Sequence, residues 1–129
     1  MSAGSSAGAG GELASYLKVC PVDAIDRETG VVALVHGRAV AIFRTHDGEV
    51  HALANYDPSS RASVLARGIV GSRNDVPVVA SPMYKHAFDL RTGACLDDTS
   101  LRVPVFEVAV VDSEVWIGPE RRTERERGG

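Results

Sequence analysis

Apolar residues along this chain recur in short β-branched runs, broken at close intervals by Gly, Asp, Asn and Pro. Such punctuation predicts strands and turns. Val31 to Val35, the pair His36-Gly37 and Ala39 to Thr45 read as a hairpin, and His46-Asp47-Gly48 turns the chain into Glu49 to Leu53 to complete a three-strand meander. Further on, Val76 to Ala80 is followed by Ala87 to Leu90, and the turn Arg91-Thr92-Gly93 leads to Cys95-Leu96. A last hairpin joins Val105 to Val111 and Glu114 to Ile117 through Asp112-Ser113. Helical periodicity is weak; its best candidate is a short turn around Ala62 to Ala66, stopped by Gly68. The expected fold class is all-β. Two stretches fit no hairpin, Asn55 to Asn74 and Ser81 to His86, both polar, Pro-bearing and flanked by strong strands. Loops of that kind on a rigid β scaffold are where function concentrates.

Composition then bounds the molecule. At 129 residues, with 44% hydrophobic and 24% charged, the chain has one domain's worth of sequence and an ordinary globular balance. Met1 to Gly11 is nearly all Ser, Ala and Gly and reads as a flexible tail; Pro119 to Gly129 is charged, without a large apolar residue, and reads as another. The folded unit is expected from about Glu12 to Gly118. Its apolar runs fall far short of the ~20 residues that cross a bilayer. The net charge of −3 supplies no field for nucleic acid or an anionic membrane, so neither is an expected partner. Cys20 and Cys95 are the two cysteines. They form no CxxC pair, and the opening residues lack the basic and apolar regions of a secretory signal, so both read as reduced thiols in the cytoplasm, with a single Cys20–Cys95 disulfide as the open alternative. His36, His46, His51 and His86 have no second His or Cys at ligand spacing and read as solvated or hydrogen-bonded residues. Neither a G-x-G-x-x-G loop nor a P-loop is present. Ser81 and His86 make a weak nucleophile-and-base pair, for which a turn is the better reading.

The two irregular stretches carry a resemblance. Ser81-Pro82-Met83-Tyr84-Lys85-His86-Ala87-Phe88-Asp89-Leu90-Arg91-Thr92-Gly93 resembles the second cluster-binding loop of Rieske iron–sulfur proteins, C-P-x-H followed by F-D-L-x-T-G. Asn55-Tyr56-Asp57-Pro58-Ser59 resembles the first, N-x-C-P-H. A Rieske centre needs two thiolates on one iron and two imidazoles on the other. Here Asp57 and Ser59 stand at the first Cys and His positions, and Ser81 and Tyr84 at the second. Protonated hydroxyls and a carboxylate are poor ligands for a sulfide-bridged cluster, which implies that no cluster binds.

A Rieske-like chain without its ligands resembles the small subunit of assimilatory NAD(P)H-dependent nitrite reductase. The likeness runs through Ala52 to Pro58, Leu65 to Gly71, Pro77 to Lys85, Arg91 to Asp98 and Val103 to Val105, and covers about Tyr16 to Ile117. It implies a Rieske-like antiparallel β-sandwich with two loops in place of the cluster-binding loops. The same likeness implies a non-catalytic subunit, without catalytic residues, cofactor or metal of its own. It would accompany a large subunit that carries FAD, an iron–sulfur cluster and sirohaem and reduces nitrite to ammonium in nitrate assimilation. Tyr56, Pro58, Pro82, Met83, Tyr84, Lys85 and His86 then become candidates for partner binding, with Arg61 and Arg67 on the rim, an apolar and aromatic surface of the kind found at interfaces. For Met83 and Tyr84, filling the space of a lost cluster is an equal alternative. Two other functional readings remain open: a cluster-free interaction module of another oxidoreductase, and a Rieske-type electron-transfer ferredoxin, which a colourless, iron-free protein would eliminate.

Overall fold

The computed structural model describes residues 15–83 and 85–121. The tail expected over Met1 to Gly11, most of the charged tail and Tyr84 therefore lie outside the described residues. Among the described residues nine strands form two antiparallel sheets. They are β1 (Leu17–Pro21), β2 (Thr29–Val35), β3 (Arg38–Arg44), β4 (Val50–Ala54), β5 (Ile69–Arg73), β6 (Val76–Ala80), β7 (Ala87–Asp89), β8 (Val105–Val111) and β9 (Glu114–Glu120). The larger sheet has the order β1-β9-β8-β4-β3-β2 and the smaller the order β5-β6-β7.

The expected hairpins form as read. Strands β2 and β3 pair from Thr29↔Arg44 to Val35↔Arg38 around His36 and Gly37, both at positive φ, where a tight turn between twisted strands needs them. Strand β3 is buried on both faces: Val40, Ala41, Ile42 and Phe43 are all inaccessible, so it forms the spine of the core. In the small sheet Val70, Val79 and Phe88 stand in one cross-strand row, with Cys95 bridged to Phe88, and all four enter the same core. This row is what fastens the small sheet to the large one.

Two strands were not among the expected elements. Strand β1 has few inward residues and ends at a proline, and its pairing comes from β9. Strand β5 is only briefly apolar before Gly71-Ser72-Arg73, and it is a strand because β6 lies beside it. The turn expected at Ala62 to Ala66 is a 3-10 turn at Leu65–Arg67, closed at Gly68 as anticipated. Cys95-Leu96 contributes a single bridge rather than a strand. At the C-terminal end β9 continues to Glu120, two residues past the expected boundary at Gly118, because Arg38 pairs with Glu120 at 2.9 Å and the Arg121 amide donates to the Val105 carbonyl.

The sheet topology puts both irregular stretches at one end of the molecule. The first leaves β4 after Ala54, in the large sheet, and returns as β5; the second leaves β6 after Ala80 and returns as β7, in the small sheet. The first loop thus bridges the two sheets, and the second stays within the small one. Cys20, on β1, and Cys95, in the core, are both free thiols.

Candidate functional site

The first loop is organised from its root by Asn55. This residue is buried, and its Nδ2 donates to the Ser63 carbonyl at 3.1 Å while its Oδ1 accepts from the Ala66 amide at 2.8 Å. Its main chain is held too, the amide on the Ala39 carbonyl and the carbonyl by the Leu65 amide. The loop is folded back on itself between those anchors, with Arg61 at φ 60°.

Asp57 sits at the centre of this fold-back with none of its surface accessible. A carboxylate offers about four lone-pair sites and no donor, and burying it is costly unless they are filled. Here they are filled largely by serines. Oδ1 accepts from the Ser59 amide at 2.9 Å and the Ser59 hydroxyl at 2.5 Å, and Oδ2 accepts from the Ser60 hydroxyl at 2.8 Å and from the Ser81 hydroxyl. The first two contacts make a local Asx turn. The last crosses to the second loop. Burial alone would raise the Asp57 pKa, but the hydrogen bonds from Ser59, Ser81 and Ser60 outweigh it and hold the carboxyl below its ordinary value.

Ser81 is equally enclosed, only 1% exposed, and it organises the second loop as Asp57 does the first. Its amide donates to the His86 carbonyl at 2.8 Å, its carbonyl accepts from the Lys85 amide at 3.0 Å, and its Oγ accepts from the Met83 amide at 3.2 Å. Lys85 takes a positive φ of 64° to close the turn. A continuous path therefore runs from the Met83 amide through the Ser81 hydroxyl to the Asp57 carboxylate.

Outside this buried centre lies an apolar surface. Tyr56 is 46% exposed and Met83 60% exposed, one from each loop. Pro58, Pro82 and His86 are half-buried, and Arg61, Arg67 and Lys85 are exposed. A shallow depression of about 360 Å³ is lined by Pro58, Ser59, Arg61 and His86 together with Asp98 and Leu101. Those last two belong to a third segment, before β8, that sequence reasoning did not connect with the loops. Ser60 was missed as well, although the run Asp57-Pro58-Ser59-Ser60 carries the composition of a side-chain-capped turn. Tyr84 lies outside the described residues, so its share in this surface is left to experiment.

Comparison with known proteins accounts for this arrangement. The family described as Rieske-like [2Fe-2S] domain matches residues 15–118. The nitrite reductase (NADH) small subunit of Escherichia coli K12 is 38% identical over 106 residues, covering 81% of this chain and 98% of that protein. The chain belongs to this small-subunit family, on a Rieske-like fold. A crystal structure of the putative NADH-dependent nitrite reductase small subunit from Mycobacterium tuberculosis superposes with a TM-score of 0.77 at 40% identity, over 84% of this chain and 96% of that one. The nitrite reductase [NAD(P)H] large subunit of Klebsiella oxytoca also contains a matching stretch, 38% identical over 103 residues. That stretch covers 80% of this chain and only 11% of the large subunit.

The family description names a [2Fe-2S] cluster, and the residues at this site do not fit one. Asp57 and Ser81, which the sequence resemblance sets at the two cysteine positions of a Rieske centre, direct their oxygens at each other rather than into an open cradle. Ser59, which the same resemblance sets at the first histidine position, is turned inward onto Asp57. Hard oxygen donors already saturated with hydrogen bonds match neither the charge nor the softness of iron–sulfide. Among the described residues no group of three or more His, Cys, Asp or Glu is arranged to hold a metal ion.

Proposed function

We propose that this chain is the non-catalytic small subunit of a cytoplasmic NAD(P)H-dependent nitrite reductase, which reduces nitrite to ammonium in nitrate assimilation. On this reading it binds the large subunit, which carries FAD, an iron–sulfur cluster and sirohaem, and contributes no cofactor of its own. The observation that carries the reading is the buried Asp57–Ser81 pair at positions where an electron-transferring relative would hold thiolates. A loop end without redox chemistry but with an exposed aromatic and an exposed thioether is suited to docking. The Klebsiella match supports the same partnership, since there a domain of this kind is part of the large-subunit chain itself.

Docking is assigned to the loop end, through Tyr56, Pro58, Pro82, Met83, Tyr84, Lys85 and His86. The test is reconstitution: nitrite-dependent NADH oxidation by the large subunit, and its thermal stability, measured with and without this chain. A rise in rate or in stability on addition supports the assignment. No change in either sinks it.

A further inference from the structure

The first loop crosses from the large sheet to the small one and the second joins two strands of the small sheet; the β5–β6 ladder pairs their bases at Ile69 and Ala80, but among the described residues no sheet ladder joins their tips. Free loops of this length lose considerable conformational entropy on being fixed, so a surface built from both needs a cross-link near its apex. In a Rieske centre, ligation of one metal group by both loops supplies such a link. Here the same two cysteine positions are occupied by a carboxylate and a hydroxyl that reach each other across the gap, both almost completely removed from water. In that setting a charge-assisted hydrogen bond is stronger than at the surface, and each partner is expensive to leave unpaired.

We propose that Asp57 is a positioning residue whose carboxylate, by gathering the hydroxyls of Ser59, Ser60 and Ser81, cross-links the two loops and fixes the shape of the surface bearing Tyr56 and Met83. The division of labour among the three serines follows from where they stand. Ser59 and Ser60 bond within the first loop and shape it; Ser81 alone of the three belongs to the second loop and transmits position between them. Because Ser81 Oγ also accepts from the Met83 amide, the cross-link ends directly beneath an exposed side chain of the proposed docking face. The part of this inference that concerns the partner rests on the docking reading above; the cross-link itself does not.

The experiment is amide hydrogen exchange on the full free chain, for the wild type, Ser81→Ala and Asp57→Asn, alongside titration of each against the large subunit. Ser81→Ala removes no hydrogen-bond partner of the Ser59 amide, so exchange at Ser59 reads coupling between loops and not a deleted bond. In that variant the Ser59 amide is expected to lose protection about tenfold or more, while amides in the buried strand β3 keep theirs. In Asp57→Asn the Met83 and Lys85 amides are expected to lose protection in the same way. Affinity for the large subunit should fall about tenfold in both. Unchanged protection at Ser59 in Ser81→Ala, and at Lys85 in Asp57→Asn, overturns the cross-link whatever the affinity does. Loosened loops with unaltered affinity sustain the cross-link and overturn the docking assignment instead. If Asp57→Asn does not fold, Ser81→Ala decides alone, since it leaves the bonds within the first loop in place.

Discussion

At the scale of single residues, the buried carboxylate makes stability depend on pH in a defined direction. The native Asp57 pKa is held below its ordinary value, so the folded state favours the ionised form more than the unfolded chain does. The resulting stabilisation is fully present above about pH 4, the unfolded value, and is lost as pH falls through the lower native pKa. Asp89, buried and held low by the hydrogen bonds and charge of Arg91 against the opposing effect of burial, acts in the same sense. Thermal melts between pH 6 and pH 3, chosen as about two units above and one below that value, should therefore show a falling Tm, and Asp57→Asn should flatten part of the fall. Gly93 is a second sensitive point. It has φ +79°, and a Cβ there would lie 1.9 Å from the Val103 carbonyl oxygen. Backbone cannot yield as a side chain tip can, so Gly93→Ala is expected to cost at least about 2 kcal/mol, a loss of roughly 10 °C in Tm. The need for glycine there was legible in the turn Arg91-Thr92-Gly93. The partnership of Asp57 with Ser81 was not: both were readable as displaced ligands, but their contact spans 24 positions and depends on two sheets meeting.

Elements differ in how much of their stability is local, and this explains which were readable. The hairpins β2–β3 and β8–β9 carry their own turn residues and β-branched alternation, so sequence specifies them. Strands β1 and β5 carry little such signal and exist through their neighbours, β9 and β6. The same reasoning marks the end of β9 as structural. Pro119 and Glu120 extend the strand, Glu120 receives Arg38, and the Arg121 amide reaches Val105. A chain shortened after Gly118 should be less stable than one shortened after Arg121 by about 1 to 2 kcal/mol, chiefly through the lost backbone bond and ordered strand rather than the exposed ion pair. Denaturant midpoints of the two truncations measure it. Phe88 is the element-scale key to the second loop, because it is the largest inward residue of the small sheet and is wholly buried. Phe88→Ala should cost about 3 to 5 kcal/mol, and equilibrium unfolding would show whether the small sheet detaches before the large one.

For the whole molecule, the antiparallel ladder sets a polarity. Strand β4 ends at the loop end, and its register with β8, Leu53 against Val105, puts the start of β8 there too. The hairpin Asp112-Ser113 and the exposed Val110 therefore lie at the opposite end. The two ends both expose apolar side chains, but the loop end adds the buried Asp57–Ser81 link between its two loops beneath them, the arrangement that gives interface residues their energetic weight. This asymmetry makes a docking prediction that solvent exposure alone would not. Met83→Glu places a charge where an apolar contact is proposed and should weaken binding to the large subunit by at least about 2 kcal/mol, roughly thirtyfold. Its Tm should stay within about 2 °C of wild type, since Met83 is exposed and its backbone bond to Ser81 is retained. Val110→Glu, at the far end and 50% exposed, should leave binding unchanged. Isothermal titration of the three proteins against one preparation of the large subunit decides the matter, and weakening by Val110→Glu equal to that by Met83→Glu would move the interface away from the loops.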